Sequence, residues 1–315
     1  MATDVDAVVA ARGDSLRGRL DRVEARLREI ATAASPPLDR TAGETIAAGG
    51  KRLRPLLVLL AAGDPSRDDD GLIRAAVAVE LIHSATLVHD DVLDAAPLRR
   101  GLPTVWATAG RDGAIATGDY LFARAFSELV ANGRIDEVAV LSEATSALAE
   151  GELLQREDAY DTSISLERYL LRCELKTARL FEAACRLGAL EAGADGEALG
   201  LFGRRIGLAF QLLDDVLDVS GPVERTGKPR GTDLLDGTVT LPFILARERD
   251  PALRDVARVA SPEAAEALCE RIAATGALEE ARARALAIVA DAKAGLPTRD
   301  EALDLVADSV VARYA

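Results

Sequence analysis

An all-α fold is what the composition and periodicity of this chain predict. Hydrophobic residues make up 49% of the 315 and aromatic residues only 3%, so the interior must be filled by aliphatic side chains, among which alanine and leucine have high helix propensity. Apolar residues recur at steps of three and four, and no stretch shows the period-2 alternation of a half-buried strand. The length permits one domain or two. Composition favours one, an antiparallel bundle of about ten or more helices across residues 1–315.

Leu16, Leu20, Val23, Leu27 and Ile30 give a first amphipathic helix that Ser35-Pro36-Pro37 ends. Its narrow stripe, in an N-terminal segment 1–35, suits either the core or a dimer interface. A short helix at 39–48 leads to Gly49-Gly50-Lys51-Arg52-Leu53-Arg54-Pro55 and the apolar residues 56–62, and 64–71 is a polar loop. The run 72–96 has no proline and no internal glycine, and is apolar nearly all round, which marks a helix buried in a large core. A connection through Pro97, Gly101 and Pro103 follows, then helices at 112–130 and 134–155 and a polar segment at 156–165. The helix at 166–187 carries Lys176-Thr177 in its middle, and the one at 197–219 is stopped by Gly221-Pro222. Gly227-Lys228-Pro229-Arg230-Gly231 comes next; Ser261-Pro262 reads as an N-cap and first-turn pair, and Thr298 with Glu301 as a capping box.

The chemistry concentrates at His89-Asp90-Asp91-Val92-Leu93-Asp94. On a helix, Asp90, Asp91 and Asp94 fall within an arc of about 100°. Buried carboxylates need a counter-charge. The same word returns as Asp214-Asp215-Val216-Leu217-Asp218. One such word reads equally as a solvated acidic face; its repetition at identical spacing, each time after an apolar helical run, points to metal. Hard carboxylate oxygens suit Mg²⁺, which keeps waters and bridges to substrate phosphates, so the two triads suggest a diphosphate held between them. Lys51, Arg54, Arg99, Arg100, Lys176 and Lys228 accompany them, arginine for bidentate grip and lysine as a point charge. Gly50-Lys51 is no Walker loop, which needs glycine at Thr45 and a hydroxyl residue at Arg52. His83 and His89 stand about 240° apart round a helix and do not readily chelate one ion.

A net charge of −14 argues against nucleic acid as a partner. Cys173, Cys185 and Cys269 lack metal-type spacing and read as reduced packing residues, which fits the cytoplasm. No secretory signal is visible, and the longest plain apolar run, 55–62, is too short to span a bilayer.

In order along the chain, GGKRLRP, ELIHSATLVHDDVLDAAPLRRG, GDYLFARAF, GELLQ, LKTARLF, FQLLDDVLDVSG and GKPRGTDLLDGTVTLP resemble the trans-type polyprenyl diphosphate synthases, the polyprenyl synthetases. The resemblance implies the isoprenoid synthase fold, a single-domain antiparallel helix bundle round a deep central cavity, usually a homodimer. It implies Mg²⁺ at Asp90, Asp91, Asp94, Asp214, Asp215 and Asp218. Arg99, Lys176, Thr177, Gln211 and Lys228 would hold an allylic diphosphate, and Lys51, Arg54, His83 and Arg100 isopentenyl diphosphate. Thr238 departs from the pattern, standing where many members have a lysine, and Pro97 occupies a usually polar position.

In short-chain members, bulky aromatics four or five residues before the first aspartate floor the product tunnel. Here Thr86 and Ala85 stand there, with Val79 and Ile82 on the same stripe and Phe122 or Phe126 as deeper stops, so a medium- to long-chain product is expected. A geranylgeranyl or farnesyl diphosphate synthase is the alternative within the family. A terpene cyclase would not need the cations for isopentenyl diphosphate, and a non-catalytic partner subunit would not need both triads.

Overall fold

In a computed structural model the described residues are 4–63, 69–99, 101–221, 230–256 and 258–312, with side chains from residue 7 onward. The elements among them are helical apart from one pair of two-residue strands. Their contacts sort into two compact units: residues 1–145, 181–200 and 300–306 form one, and 146–180, 201–299 and 307–315 the other.

The first unit begins with α1 (Asp4–Arg12), α2 (Asp14–Thr32), α3 (Leu38–Ala47) and α4 (Leu53–Ala61). The α2 stripe is spent inside its own unit: Leu16, Val23, Leu27 and Ile30 are buried and α2 packs on α3, α4 and α5 (Asp70–Leu93). Helix α5 is the unit's axis, with Val77, Ala78, Val79, Leu81, Ile82 and Ala85 fully enclosed, each larger side chain contributing about 1.5–3 kcal/mol by leaving water. Among the described residues α5 is the one helix long and apolar enough to cross a membrane, yet 72% of its apolar window is buried inside the protein. Plain apolar runs do not reveal it, because His83, Ser84 and Thr86 interrupt a stretch that alanine and valine keep apolar on average.

The connection after α5 is a hairpin, β1 (Leu98–Arg99) paired antiparallel with β2 (Leu102–Pro103). Strands this short carry no readable alternation. Helix α6 (Val105–Asn132) starts earlier than its periodicity indicates, with Thr104 accepting from the amide of Ala107, and is kinked at Gly110. It runs antiparallel to α5: Asn132 bonds the Gly71 carbonyl, and at the opposite end His89 fills the space over Gly118, where a Cβ would lie 2.1 Å from its Nε2. Helix α7 (Ile135–Glu157) passes from this unit into the other.

In the second unit the predicted helix at 166–187 is interrupted. It comprises α8 (Leu166–Cys173), a π-turn (Glu174–Ala178) and α9 (Arg179–Glu191), of which residues from 181 onward belong to the first unit. Then come α10 (Glu197–Ser220), α11 (Thr232–Leu235), α12 (Leu241–Arg249), α13 (Pro262–Ala274), α14 (Ala277–Ala294) and α15 (Glu301–Ala312), of which α10 up to Gly200 and α15 up to Val306 belong to the first unit. Ser261 caps α13 as predicted, accepting from the amide of Ala264. At α15 the cap is Asp300, whose Oδ1 accepts from the amides of Ala302 and Leu303 at 2.9 and 3.1 Å. The capping box from Thr298 is therefore displaced by an adjacent, better acceptor.

Candidate active site

In the first unit α5 delivers the first aspartate motif at its last turn. The three carboxylates do not share one environment: Asp91 is buried at 5% exposure, Asp90 is half-buried and Asp94, the C-cap, is exposed. Asp91 Oδ1 accepts from Arg99 Nε at 2.9 Å. Burial pushes the Asp91 carboxyl above its ordinary range, the Arg99 charge pulls it back, and Asp94 adds to the rise. The hairpin is what returns Arg99 to the helix end. Neighbouring His89 stacks on Phe122, ring centroids 5.8 Å apart, with Nε2 3.4 Å from the Ile115 carbonyl.

The glycine turn before α4 divides its basic residues. Lys51 is exposed, and the Arg54 guanidinium lies 4.7 Å over the Phe181 ring. Arg52, a residue for which the sequence suggested no role, adopts a left-handed backbone (φ 46°) and bonds Glu24 at 2.5 Å, Glu80 at 2.7 Å and the Ile46 carbonyl at 3.0 Å. Burial raises the Glu80 carboxyl and Arg52 opposes it. Arg52 thus braces the turn that presents Lys51 and Arg54. His83 is half-buried one turn above Val79. On the product-length stripe, Val79, Ile82 and Ala85 have no exposed surface, whereas Thr86 is half-buried with its hydroxyl on the His83 carbonyl. Phe122 and Phe126 are both half-buried on α6, Phe126 one turn nearer the Gly71 end.

In the second unit α10 carries the second motif, and its carboxylates meet different partners. Asp215, 3% exposed, accepts from Tyr169 Oη at 2.6 Å on Oδ2 and from Gln211 Nε2 at 2.8 Å on Oδ1. Gln211 Oε1 accepts from Thr177 Oγ1 at 2.8 Å. Burial and Asp233 push Asp215 up to about 8, against the pull of the Tyr169 and Gln211 donors, and Asp214 adds to the rise. Burial drives the Tyr169 phenol the same way, so it stays a donor. Asp214 is half-buried. Asp218 is 3% exposed and ties down the following loop: its Oδ2 accepts from the Asp233 amide at 3.2 Å and its carbonyl from the Gly231 amide at 2.9 Å.

Lys176 stands in the π-turn with Nζ bonded to Glu152 and, at 3.3 Å, to Gln155 Oε1, both from the GELLQ stretch of α7. A side chain at Gly151 would fall 2.6 Å from the Lys176 amide nitrogen, so only glycine lets α7 approach this closely. Thr238 is half-buried with its amide on the Asp233 carbonyl. Arg230, the cation nearest in sequence to Thr238, is bonded to Glu266 and to the Val219 carbonyl. Arg100 and Lys228 lie outside the described residues.

Tyr169, Glu152, Gln155, Asp233, Arg52 and Glu80 are the contributors that sequence reasoning missed. Tyr169 left a signal, standing seven residues before Lys176 and so on nearly the same helix face. The others come from distant elements.

In each unit taken by itself the carboxylates suit a hard divalent ion. Asp90 and Asp94 at the end of α5 in the first unit, and Asp214 on α10 in the second, offer oxygens from half-buried or exposed positions, while among the described residues no group of three His, Cys, Asp or Glu side chains forms a ready chelate. An ion that takes one or two carboxylates and completes its shell with phosphate and water suits that arrangement.

Fold and motifs together define a class, an all-α prenyltransferase with an aspartate motif on each of two long helices. The sequence profile described as polyprenyl synthetase matches residues 35–274. Heptaprenyl diphosphate synthase component 2 of Geobacillus stearothermophilus is 44% identical over 230 residues, 72% of each chain. Geranylgeranyl diphosphate synthase of Methanosarcina mazei is 35% identical over 94% of this chain and 92% of its own. The crystal structure of a polyprenyl synthase from Caulobacter crescentus, complexed with calcium and isoprenyl diphosphate, superposes with a TM-score of 0.86 at 37% identity, covering 99% of this chain and 98% of that one. The chain belongs to the polyprenyl synthetase family.

Proposed function

We propose that this chain condenses isopentenyl diphosphate with an allylic diphosphate to give a medium- to long-chain trans-polyprenyl diphosphate, with Mg²⁺ as cofactor. The observation that carries this reading is the duplicated aspartate motif with its attendant cations. Asp90, Asp94 and Asp214 are the residues that would hold magnesium, and Asp91, Asp215 and Asp218 brace the segments carrying them. Bound there, the ion would offset the charge that develops on the departing diphosphate. Lys176, Thr177, Gln211 and Arg99, with Lys228, hold the allylic diphosphate while its carbon–oxygen bond breaks and the electron pair leaves with the phosphate. Lys51, Arg54, His83 and Arg100 hold isopentenyl diphosphate, whose double bond supplies the pair for the new carbon–carbon bond. Loss of a proton then restores an allylic product.

The family match runs through residues of both units, which supports their working as one synthase domain. Three buried free cysteines suit a reducing compartment such as the cytoplasm, and a homodimer is the assembly proposed. For product length, the heptaprenyl relative supports a long chain. Of the two positions proposed to set it, Thr86 has accessible surface and Ala85 has none. The decisive experiment incubates the purified chain with Mg²⁺, labelled isopentenyl diphosphate and each short allylic primer in turn, and reads product length. Products longer than geranylgeranyl diphosphate are expected; a parent that stops at farnesyl diphosphate ends the long-chain reading, and no incorporation, with or without an added partner protein, ends the synthase reading.

The name component 2 of the 44% identical relative favours one further arrangement, in which this chain works with a second, different chain. Inactivity of the single chain, relieved by a partner protein, would establish it.

A further inference from the structure

Asp215 sits inside a hydrogen-bonded chain of four residues, whereas Asp91 of the first motif accepts from the charged Arg99. Tyr169, Asp215, Gln211 and Thr177 are joined by three hydrogen bonds of 2.6, 2.8 and 2.8 Å. They connect α8, α10 and the π-turn, and every link has a definite direction. Thr177 donates to the Gln211 carbonyl oxygen, which leaves the Gln211 amide nitrogen facing Asp215. The phenol donates to the other Asp215 oxygen. Tyr169 has no exposed surface, and its ring lies beneath Arg172, whose guanidinium is 5.6 Å from the ring centroid and is anchored on the Val239 carbonyl at 2.5 Å. Neither end of this chain is free to drift.

We propose that Tyr169 is a positioning residue: its hydroxyl and Gln211 fix both oxygens of Asp215, so that Asp215 braces α10 against the π-turn and leaves Asp214 as the outward carboxylate of the motif. This rests on the reading of the second motif as a magnesium and diphosphate site. Two functional groups are aligned by one brace, Asp214 one residue away on α10 and Lys176 one residue before Thr177. Removing the hydroxyl releases one Asp215 oxygen, and the carboxylate can then turn away from the geometry that Gln211 and Thr177 share. Positional errors of this kind cost turnover more than they cost folding.

The test is Tyr169→Phe in the full chain, which deletes one oxygen and keeps the ring beneath Arg172. Tyr120→Phe serves as a matched control, because its hydroxyl bonds the Ile30 carbonyl at 2.7 Å in the first unit. Binding of magnesium pyrophosphate, measured by calorimetry without turnover, should weaken about tenfold in Tyr169→Phe. In the condensation assay kcat should fall by roughly ten- to a hundredfold, with the half-saturating Mg²⁺ concentration raised and the KM for isopentenyl diphosphate unchanged. Tyr120→Phe should match the parent in all of these. Parental binding and kcat in Tyr169→Phe would overturn the proposal, as would a loss of thermal stability with unaltered binding and kinetics per folded molecule. If the parent binds magnesium pyrophosphate and condenses nothing even with an added partner protein, the synthase reading fails, while the calorimetric comparison still decides the role of Tyr169.

Discussion

Two identically spaced aspartate motifs end on two 24-residue helices, yet the protein treats their second aspartates in opposite ways. Asp91 is answered by a charge, the half-exposed Arg99 at 2.9 Å. Asp215 is answered by two neutral donors, Tyr169 and Gln211. A cation can be exchanged for another ion or for water at a site that solvent reaches. Neutral donors fixed in a dry pocket hold a carboxylate in place without adding charge to the site. The first motif is accordingly built to be rearranged when an anion arrives, the second to stay as it is.

The largest effect that tests this division comes from the outward carboxylates. Asp90→Ala and Asp214→Ala should each lower turnover by roughly a thousandfold or more without unfolding the chain. Near-parental turnover in either, assayed where Mg²⁺ limits the parent, removes the catalytic assignment of that motif.

Next comes the charge on Asp91. Arg99→Gln should weaken allylic diphosphate binding about ten- to a hundredfold, the worth of a charge-assisted contact, while costing about 1–3 kcal/mol of stability because the buried Asp91 loses its charged donor. A severe fall in the denaturation midpoint would mean that Arg99 is as structural as Tyr169, and the contrast between the motifs would collapse.

A smaller gain is expected from Thr238→Lys. With Arg230 committed to Glu266 and Val219, a lysine there should lower the allylic KM by roughly tenfold and leave the isopentenyl KM alone. An unchanged allylic KM would show that position 238 does not reach the allylic diphosphate.

The subtlest effect is in pH. Glu137, enclosed at the far end of α5 from the motif, shares the Asn132 amide with Glu191 at 2.9 and 3.3 Å. Burial first, then Glu191, pushes it up to about 8 from an ordinary 4.5, with Asn132 and Arg134 opposing. An acid with a raised pKa keeps in the folded state a proton that the unfolded chain has released. Its stabilisation is therefore complete below 4.5 and lost as pH rises to about 8. Glu137→Gln should flatten this part of the stability profile, leaving the slope of the same sign that Asp215 contributes. A parent whose denaturation midpoint does not fall across that window contradicts both.

Much of this was legible in the sequence. The long helices, the paired motifs and the Ser261 cap follow from spacing alone, because helical periodicity and capping are local. The hairpin at Leu98 and Leu102 escaped because two residues per strand give no pattern, and Asp300 replaced Thr298 because a cap is decided by which acceptor sits closest to the bare amides. Asp91 meets a charged donor, Arg99, and Asp215 two neutral ones, Tyr169 and Gln211, a difference that two motifs of identical spacing do not encode. Arg52 with Glu24 and Glu80, and Lys176 with Glu152, are pairings across long stretches of chain that no one-dimensional spacing encodes.

The π-turn at Glu174–Ala178 has a consequence for anyone recombining this chain with its relatives. A π-turn accommodates one residue more than the α-helical ladder, winding over five residues about as far as an α-helix winds over four. Deleting a single residue there would let the helix close into regular α geometry and take Lys176 and Thr177 off the positions the wider turn gives them relative to Tyr169. Aligned crossovers inside 174–178 that change the residue count would misaim Lys176 and Thr177 even with every side chain retained. Exchanges that carry the whole segment from Tyr169 to Ala178 as one cassette keep both the extra residue and the face it serves.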